Sequence, residues 1–320
     1  MKRSPRSLVL AAACLAAVAS MTAAPAGAGT TANRSANPVT IAVIGDVPYG
    51  ATQEATVGDL VSAVNNDAKV RRVVHVGDFK SGSTTCTDER FAAARATFDT
   101  FKDPVIYTPG DNEWTDCHRP NNGRYDPLER LDAVRTTFFD EPGRAIGGRP
   151  MRVEPQAELV ENVRWVESRV AFATLHVIGS NNGLNPWTGF GFTAPTPAQA
   201  AEVQARTAAA ITWVDRTFDA AEAGKLDGVV LAMQADTWDP VPLSAQQAIV
   251  DRIAARTAAF AGEVLVLQGD SHTYVADNPL GLDNFTRIVV HGEDMPFEYL
   301  RITIDPRNPD LFSWERAKVA

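Results

Sequence analysis

The chain has 320 residues, 45% of them hydrophobic, with a formal net charge of −9 and a pI near 5.1. That length suits one large α/β domain. The acidic balance excludes the basic footprint of a nucleic-acid-binding protein, and no stretch after residue 28 is long and apolar enough to span a membrane.

Lys2, Arg3 and Arg6 give a basic start, residues 8–21 are apolar, and Ala26-Gly27-Ala28 forms a small-residue cleavage site. That order predicts a signal peptide over residues 1–28 and a secreted or extracytoplasmic product. Residues 29–38 read as a flexible lead-in, and 39–320 as a single domain. Past the leader only Cys86 and Cys117 remain. In an oxidising compartment they are candidates for a disulfide, the alternative being two partly buried thiols.

Residues 39–44, 73–76 and 105–107 are short, β-branched runs that end in turn residues, and they read as buried strands. Helical patterns lie between them. One carries Leu60, Val61 and Val64; another places Phe91, Ala94, Phe98 and Phe101 on one face. A helix is predicted over 127–138, then consecutive strands at 163–167 and 170–178 around Ser168-Arg169. A long Ala-rich helix follows at 197–222, then a strand at 228–233, a helix at 245–260 and a strand at 264–267. Two last strands, 285–290 and 297–304, are expected to pair with each other. Alternating strands and helices at both ends predict parallel βα units, with antiparallel strands added.

Four of the strands end in Gly-Asp, at Asp46, Asp78, Asp111 and Asp270. A fifth Gly-Asp, at Asp59, follows no strand and belongs to a helix. Ligands of parallel α/β sheets bind beyond the carboxyl ends of strands. The four carboxylates are therefore expected on one edge, where their mutual repulsion calls for a cation. Asn112, Gln234 and His272 lie at or beside the same strand ends. His75 and His176 sit inside apolar runs and read as core histidines.

The ordered blocks Gly45-Asp46, Gly77-Asp78, Gly110-Asp111-Asn112-Glu113, Gln234 and Gly269-Asp270-Ser271-His272 resemble the calcineurin-like metallophosphoesterases. The resemblance runs from about Ile41 to Trp314. It implies an α/β sandwich of mixed β-sheets flanked by helices, with one or two divalent metal ions (Mn, Mg, Ca, Fe or Zn) as cofactor. It implies hydrolysis of a phosphorylated small-molecule substrate by in-line attack of a metal-bound hydroxide. The expected metal ligands are Asp46, Asp78, Asp111, Asn112, Gln234, Asp270 and His272. Asn112 falls where the family has its general-acid His, and His118 is a second candidate for that role; a one-residue shift makes Asn112 a ligand instead. Lys80 and Arg119 are candidates for substrate binding, and Tyr49 offers a phenolic oxygen. The family's histidines are mostly replaced: Pro48, Gln234 and Asp270 stand where three of them are expected. A catalytically degenerate protein that binds metal or a phosphorylated ligand is the alternative.

Overall fold

The computed structural model describes Met1 and residues 37–319. The expected signal peptide, apart from Met1, and most of the lead-in lie outside the described residues. Strand β1 (Val39–Ile44) is buried along its whole length and alternates between two cores. Ile41 and Val43 face a second sheet, whereas Ala42 and Ile44 face helices. This period of two lets a strand join two apolar layers at once.

Around β1 stand β2 (Val70–His75), β3 (Val105–Tyr107), β11 (Glu298–Ile304) and β12 (Phe312–Lys318), in the order β12-β11-β1-β2-β3. Strands β1, β2 and β3 run parallel, and β11 and β12 are added antiparallel. The outer face is covered by α1 (Gly50–Asn66), α2 (Asp88–Asp99) and α3 (Pro127–Phe138), through Leu60, Val64, Phe91, Phe98, Val134 and Phe138. Asp59 lies mid-helix in α1 and is exposed.

The second sheet contains β4 (Glu154–Pro155), β5 (Val163–Glu167), β6 (Val170–Thr174), β7 (Gly228–Ala232), β8 (Glu263–Gln268), β9 (Val275–Asp277) and β10 (Phe285–Val289). Its order is β4-β5-β6-β7-β8-β10-β9, with β6, β7, β8 and β10 parallel. After β6 comes α4 (Gly179–Asn182), a single turn; α5 (Pro197–Gly224) and α6 (Gln247–Ala259) cover the outer face with Trp213, Val214, Phe218, Ile249 and Ile253. The result is a four-layer sandwich of helices, sheet, sheet and helices, with Val74, Phe172, Leu265 and Ile302 between the sheets.

One sequence expectation is corrected here. The runs at 285–290 and 297–304 do not pair. The first adds in parallel beside β8, and the second pairs antiparallel with β1 in the other sheet. The short connection between them crosses from one sheet to the other, so it is not a hairpin. It carries chain past the edge where the parallel strands of both sheets end.

Candidate metal centre

The strand-end Gly-Asp pairs divide their work in an unexpected way. Asp46, Asp78 and Asp270 themselves adopt left-handed backbone angles, with φ of 55°, 60° and 72°. Asp tolerates this region better than most residues because its short side chain hydrogen-bonds locally. The glycines supply space. A Cβ on Gly110 would stand 2.0 Å from Asp78 Oδ1, and one on Gly269 would stand 2.4 Å from Asp46 Oδ2. Gly179, in α4, does the same for two carboxylates: its Cβ would lie 2.8 Å from Asp111 Oδ2 and 2.7 Å from Asp270 Oδ1. The four aspartates thus meet at one edge.

Three groups of contacts make up that edge. In the first, the Asp270 backbone N–H donates to Asp46 Oδ1 at 3.1 Å and Oδ2 at 3.2 Å. His272 Nε2 stands 3.5 Å from Asp46 Oδ1, and its Nδ1 lies 2.5 Å from Glu293 Oε2. In the second, Asp78 Oδ2 accepts from Tyr49 OH at 3.0 Å, Asn112 Nδ2 at 2.8 Å and Gln234 Nε2 at 3.2 Å. Asp78 Oδ1 accepts the Asn112 backbone N–H at 3.1 Å. In the third, Ser180 Oγ lies 2.7 Å from Asp111 Oδ2 and 3.0 Å from Asp116 Oδ1.

Burial, then the charge of Asp270, pushes Asp46 well above the usual carboxylate range; burial, then the charge of Asp111, does the same to Asp78. Asp270 is raised to about 7 by burial and Asp111. Asp116 is raised to about 8 by the same two causes, against the opposing pull of Arg119. Burial is the larger cause in each case and the neighbouring carboxylates add to it.

Several sequence candidates prove to be engaged in holding the loops. Lys80 is buried, and its Nζ donates to Ser81 O, Asn112 O and Asn122 Oδ1 at 3.0, 2.6 and 3.4 Å. Burial lowers it to about 8. Arg119 is paired with Asp116 at 2.6 Å. His118 is buried, accepts the Gly189 N–H on Nδ1 at 3.0 Å, and is lowered to about 4 by burial and the Arg119 charge. Cys86 and Cys117 form a disulfide that ties the segment after β2 to the segment after β3. Glu113 holds the turn from within, accepting from Phe79 N at 3.2 Å and Tyr107 OH at 3.0 Å.

Sequence reasoning missed Ser180, Asp116 and Glu293. The only local signal near Ser180 is Asn181-Asn182-Gly183, which reads as an ordinary turn. In fact Ser180, Asn181 and Asn182 are three consecutive residues at positive φ (51°, 54° and 54°). Such strain persists only where surroundings enforce it. Here the fully buried Arg206 donates to Asn182 Oδ1 and to Asn182 O, the latter at 2.7 Å.

The metals implied by the resemblance can be tested against these donors. Gln234 Oε1 accepts the Gly179 N–H at 2.7 Å, which turns its amide nitrogen toward Asp78. Asn112 also presents nitrogen, bonding Asp78 and Tyr49 OH. Neutral donors therefore surround Asp78 Oδ2, and these residues do not fit two ions held around it. They do fit one ion near Asp46 and His272. Donors of a single ion, each about 2.0–2.2 Å from it, stand about 3.0–3.6 Å apart, which matches the 3.5 Å separation. Among the described residues no three His, Cys, Asp or Glu side chains form a ready-made metal cage. A hard cation needs fewer: one or two carboxylates suffice when water and substrate phosphate complete its shell.

Two mixed sheets packed face to face, with helices on both outer faces and the strand-end blocks on one edge, match the sandwich of mixed β-sheets flanked by helices expected from the sequence. No protein-family model matches the chain, and no curated protein matches it significantly. Solved structures of similar fold include a dimetal phosphatase from Danio rerio, 13% identical over 88% of this chain and 99% of that one, with a TM-score of 0.47. GAP50, the anchor in the inner membrane complex of Plasmodium, is 9% identical over 88% of this chain and 89% of that one, at 0.46. A 5'-nucleotidase from Candida albicans is 9% identical, at 0.45; the match covers 87% of this chain and half (50%) of that protein's length.

Proposed function

We propose that the chain is an exported, metal-dependent hydrolase of phosphate esters. The observation that carries this reading is the opposition of His272 Nε2 and Asp46 Oδ1 at 3.5 Å. A neutral His272 that donates its Nδ1–H to Glu293 turns a bare lone pair toward a carboxylate. A cation, a second ring proton or a water that donates to each would satisfy both, and the cation also offsets the crowded carboxylates. A carboxylate behind the other ring nitrogen is the usual support of a metal-ligating histidine.

In this reading Asp46 and His272 hold a divalent ion, with Asp270 and Asp111 as the neighbouring carboxylates. When bound, such an ion neutralises phosphoryl charge and makes a water more acidic. Asp78 and Tyr49 take both hydrogens of the Asn112 amide, so Asn112 braces the turn beside the site. Glu293 holds the His272 ring and its tautomer. Asn112 carries no proton it can release near neutral pH, so it orients and does not act as an acid. Export follows from the leader pattern at residues 1–28 and is consistent with the disulfide.

The test is to express the chain from Gly29 onward and measure bound metal by mass spectrometry. Hydrolysis of p-nitrophenyl phosphate and bis-p-nitrophenyl phosphate is then assayed with Mn, Mg, Ca, Fe and Zn. Asp46→Asn should lose metal and at least ~100-fold of turnover, about 3 kcal/mol of transition-state stabilisation. Turnover unchanged in that variant would overturn the reading. Bound metal with no turnover would leave the degenerate, ligand-binding alternative, which the neutral cage around Asp78 favours.

A further inference from the structure

Any phosphate that reaches the acidic edge brings negative charge to four aspartates. One divalent ion near Asp46 and His272 leaves much of that charge unanswered, so a fixed cation beside the edge would lower the cost of binding. The loops after β2 and β3 carry three candidates, Lys80, Arg119 and Arg124. They differ in availability. Lys80 Nζ is buried and committed to three oxygens of its own loops. The Arg124 side chain is exposed and has no partner that fixes it among the described residues. The Arg119 side chain is both anchored and open: it is 42% exposed, and the Asp116 it pairs with is 5% exposed. That ion pair occupies Nη2, and among the described residues no acceptor takes Nε or Nη1.

Two independent routes tie Arg119 to the edge. The first runs through Asp116, whose Oδ1 stands 3.0 Å from Ser180 Oγ, which lies 2.7 Å from Asp111 Oδ2. The second runs over the bare backbone of Gly82, where a Cβ would stand 3.3 Å from Arg119 Nη1 and 2.8 Å from Asn112 Oδ1. The Asn112 amide in turn donates to Asp78 Oδ2 at 2.8 Å. The guanidinium therefore reaches solvent beside Asn112, and Asp116 and Ser180 hold it there.

The chemistry of a guanidinium narrows what it takes. Its flat fork matches two oxygens of one phosphoryl group, and the bond is strongest to the most highly charged acceptor. A phosphomonoester carries about −1.5 to −2 near pH 7 on three terminal oxygens. A diester carries a single charge on two. A fork on a monoester leaves one terminal oxygen for the rest of the site, whereas on a diester it takes both.

We propose that Arg119 is a phosphoryl anchor that makes the site selective for phosphate monoesters over diesters, with Asp116 and Ser180 as its positioning residues. The anchor stands on the geometry of Arg119; that a bound monoester is hydrolysed rests on the phosphoesterase reading above.

The experiment is calorimetric titration of the mature chain with inorganic phosphate and with dimethyl phosphate, with Mn present and in a chelator. Arg119→Ala should weaken phosphate binding roughly 10- to 100-fold, the range of a charge-assisted hydrogen bond, and dimethyl phosphate binding far less. Arg119→Lys should recover part of the loss, since it restores the charge without the fork. Arg124→Ala removes an exposed charge of the same loop that salt screens, and should change phosphate affinity by less than about threefold. In turnover, Asp116→Asn should raise KM for p-nitrophenyl phosphate more than it lowers kcat. No phosphate binding by the wild type in either condition, unchanged binding in Arg119→Ala, equal losses in the two arginine-to-alanine variants, or equal losses for the two ligands would each overturn the anchor. An Asp116→Asn variant with unchanged KM would overturn the positioning role. A chain without turnover whose phosphate affinity still falls selectively in Arg119→Ala would retain the anchor and remove only the hydrolytic reading.

Discussion

At Asp78 one carboxylate oxygen accepts three hydrogen bonds from neutral donors, Tyr49, Asn112 and Gln234. Two of these residues occupy positions where the family resemblance leads one to expect imidazole. Gln234 stands for a histidine that binds the cation and Asn112 for the general-acid histidine, and both amides supply hydrogen bonds that replace a cation's pull on the carboxylate. Asn112→His combined with Gln234→His should therefore raise the bound divalent metal from one ion per chain to two, measured by metal analysis of the purified protein. Two ions already present in the wild-type chain, or one in both, would sink that account. The glycines give a second residue-scale expectation. Gly269→Ala drives a methyl to 2.4 Å from Asp46 Oδ2, and overpacking of this kind costs about 1–3 kcal/mol. Metal affinity should fall together with melting temperature, because the group displaced is Asp46 itself; unchanged affinity would show that Asp46 is not a ligand. The Gly-Asp pairs were legible in the sequence as strand ends. That the glycine serves its neighbour's carboxylate was not, because Gly269 and Asp46 lie on strands far apart in sequence. Glu293 and Ser180 carry no sequence signal for the same reason.

Elements with one-sided or fully buried apolar patterns were the most legible. The patterns place β1, β3 and α3 within their observed bounds, since burial on known faces leaves those segments little choice of period or length. The misread pair, β10 and β11, shows the limit: two apolar runs joined by a short segment satisfy a hairpin pattern and a sheet-to-sheet crossing equally well. The turn α4 was illegible because its left-handed residues are held by Arg206, which reaches it from α5. The disulfide operates at this scale too. It closes a separation of 31 residues between segments that carry Lys80, Asn112 and Asp116. Constraining a loop of that size in the unfolded chain is worth about 3–4 kcal/mol. The Cys86→Ser/Cys117→Ser variant should unfold at a correspondingly lower urea midpoint with the m-value little changed. A midpoint equal to that of the wild type would show that the packed loops, and not the bond, set the stability of this region.

Across the whole molecule, two sets of buried charges bend stability in opposite directions with pH. Beside the acidic edge, Trp114 Nε1 donates to His176 Nε2 at 3.1 Å, and His176 Nδ1 lies 3.0 Å from Glu161, which is also paired with Arg135 at 2.8 Å. Burial alone would raise Glu161, but His176 and Arg135 outweigh it and hold it at about 2. Burial lowers His176 below its ordinary 6.5. Both groups have folded values beneath their unfolded ones, so their stabilisation is present at neutral pH and is lost in acid, His176 first below about pH 6.5 and Glu161 as pH falls from about 4.5 toward 2. The aspartates have the opposite sign. Asp46 and Asp78 are raised, and Asp270 reaches about 7 from an ordinary 3.8. Without a cation the Asp270 contribution is complete below about pH 4 and is lost as pH rises through about 7, and Asp46 and Asp78 act in the same direction. A bound ion favours the ionised carboxylates and removes that loss. In a chelator, the melting temperature should peak in weak acid and decline toward pH 8. With metal at about 100 times its dissociation constant, stability gains roughly 2.7 kcal/mol, or about 4–5 °C for a chain of this size. That gain should widen from pH 5 to pH 8. Melting curves that stay parallel with and without metal across this range would mean that no ion relieves the acidic edge, and the metal reading would fall with them.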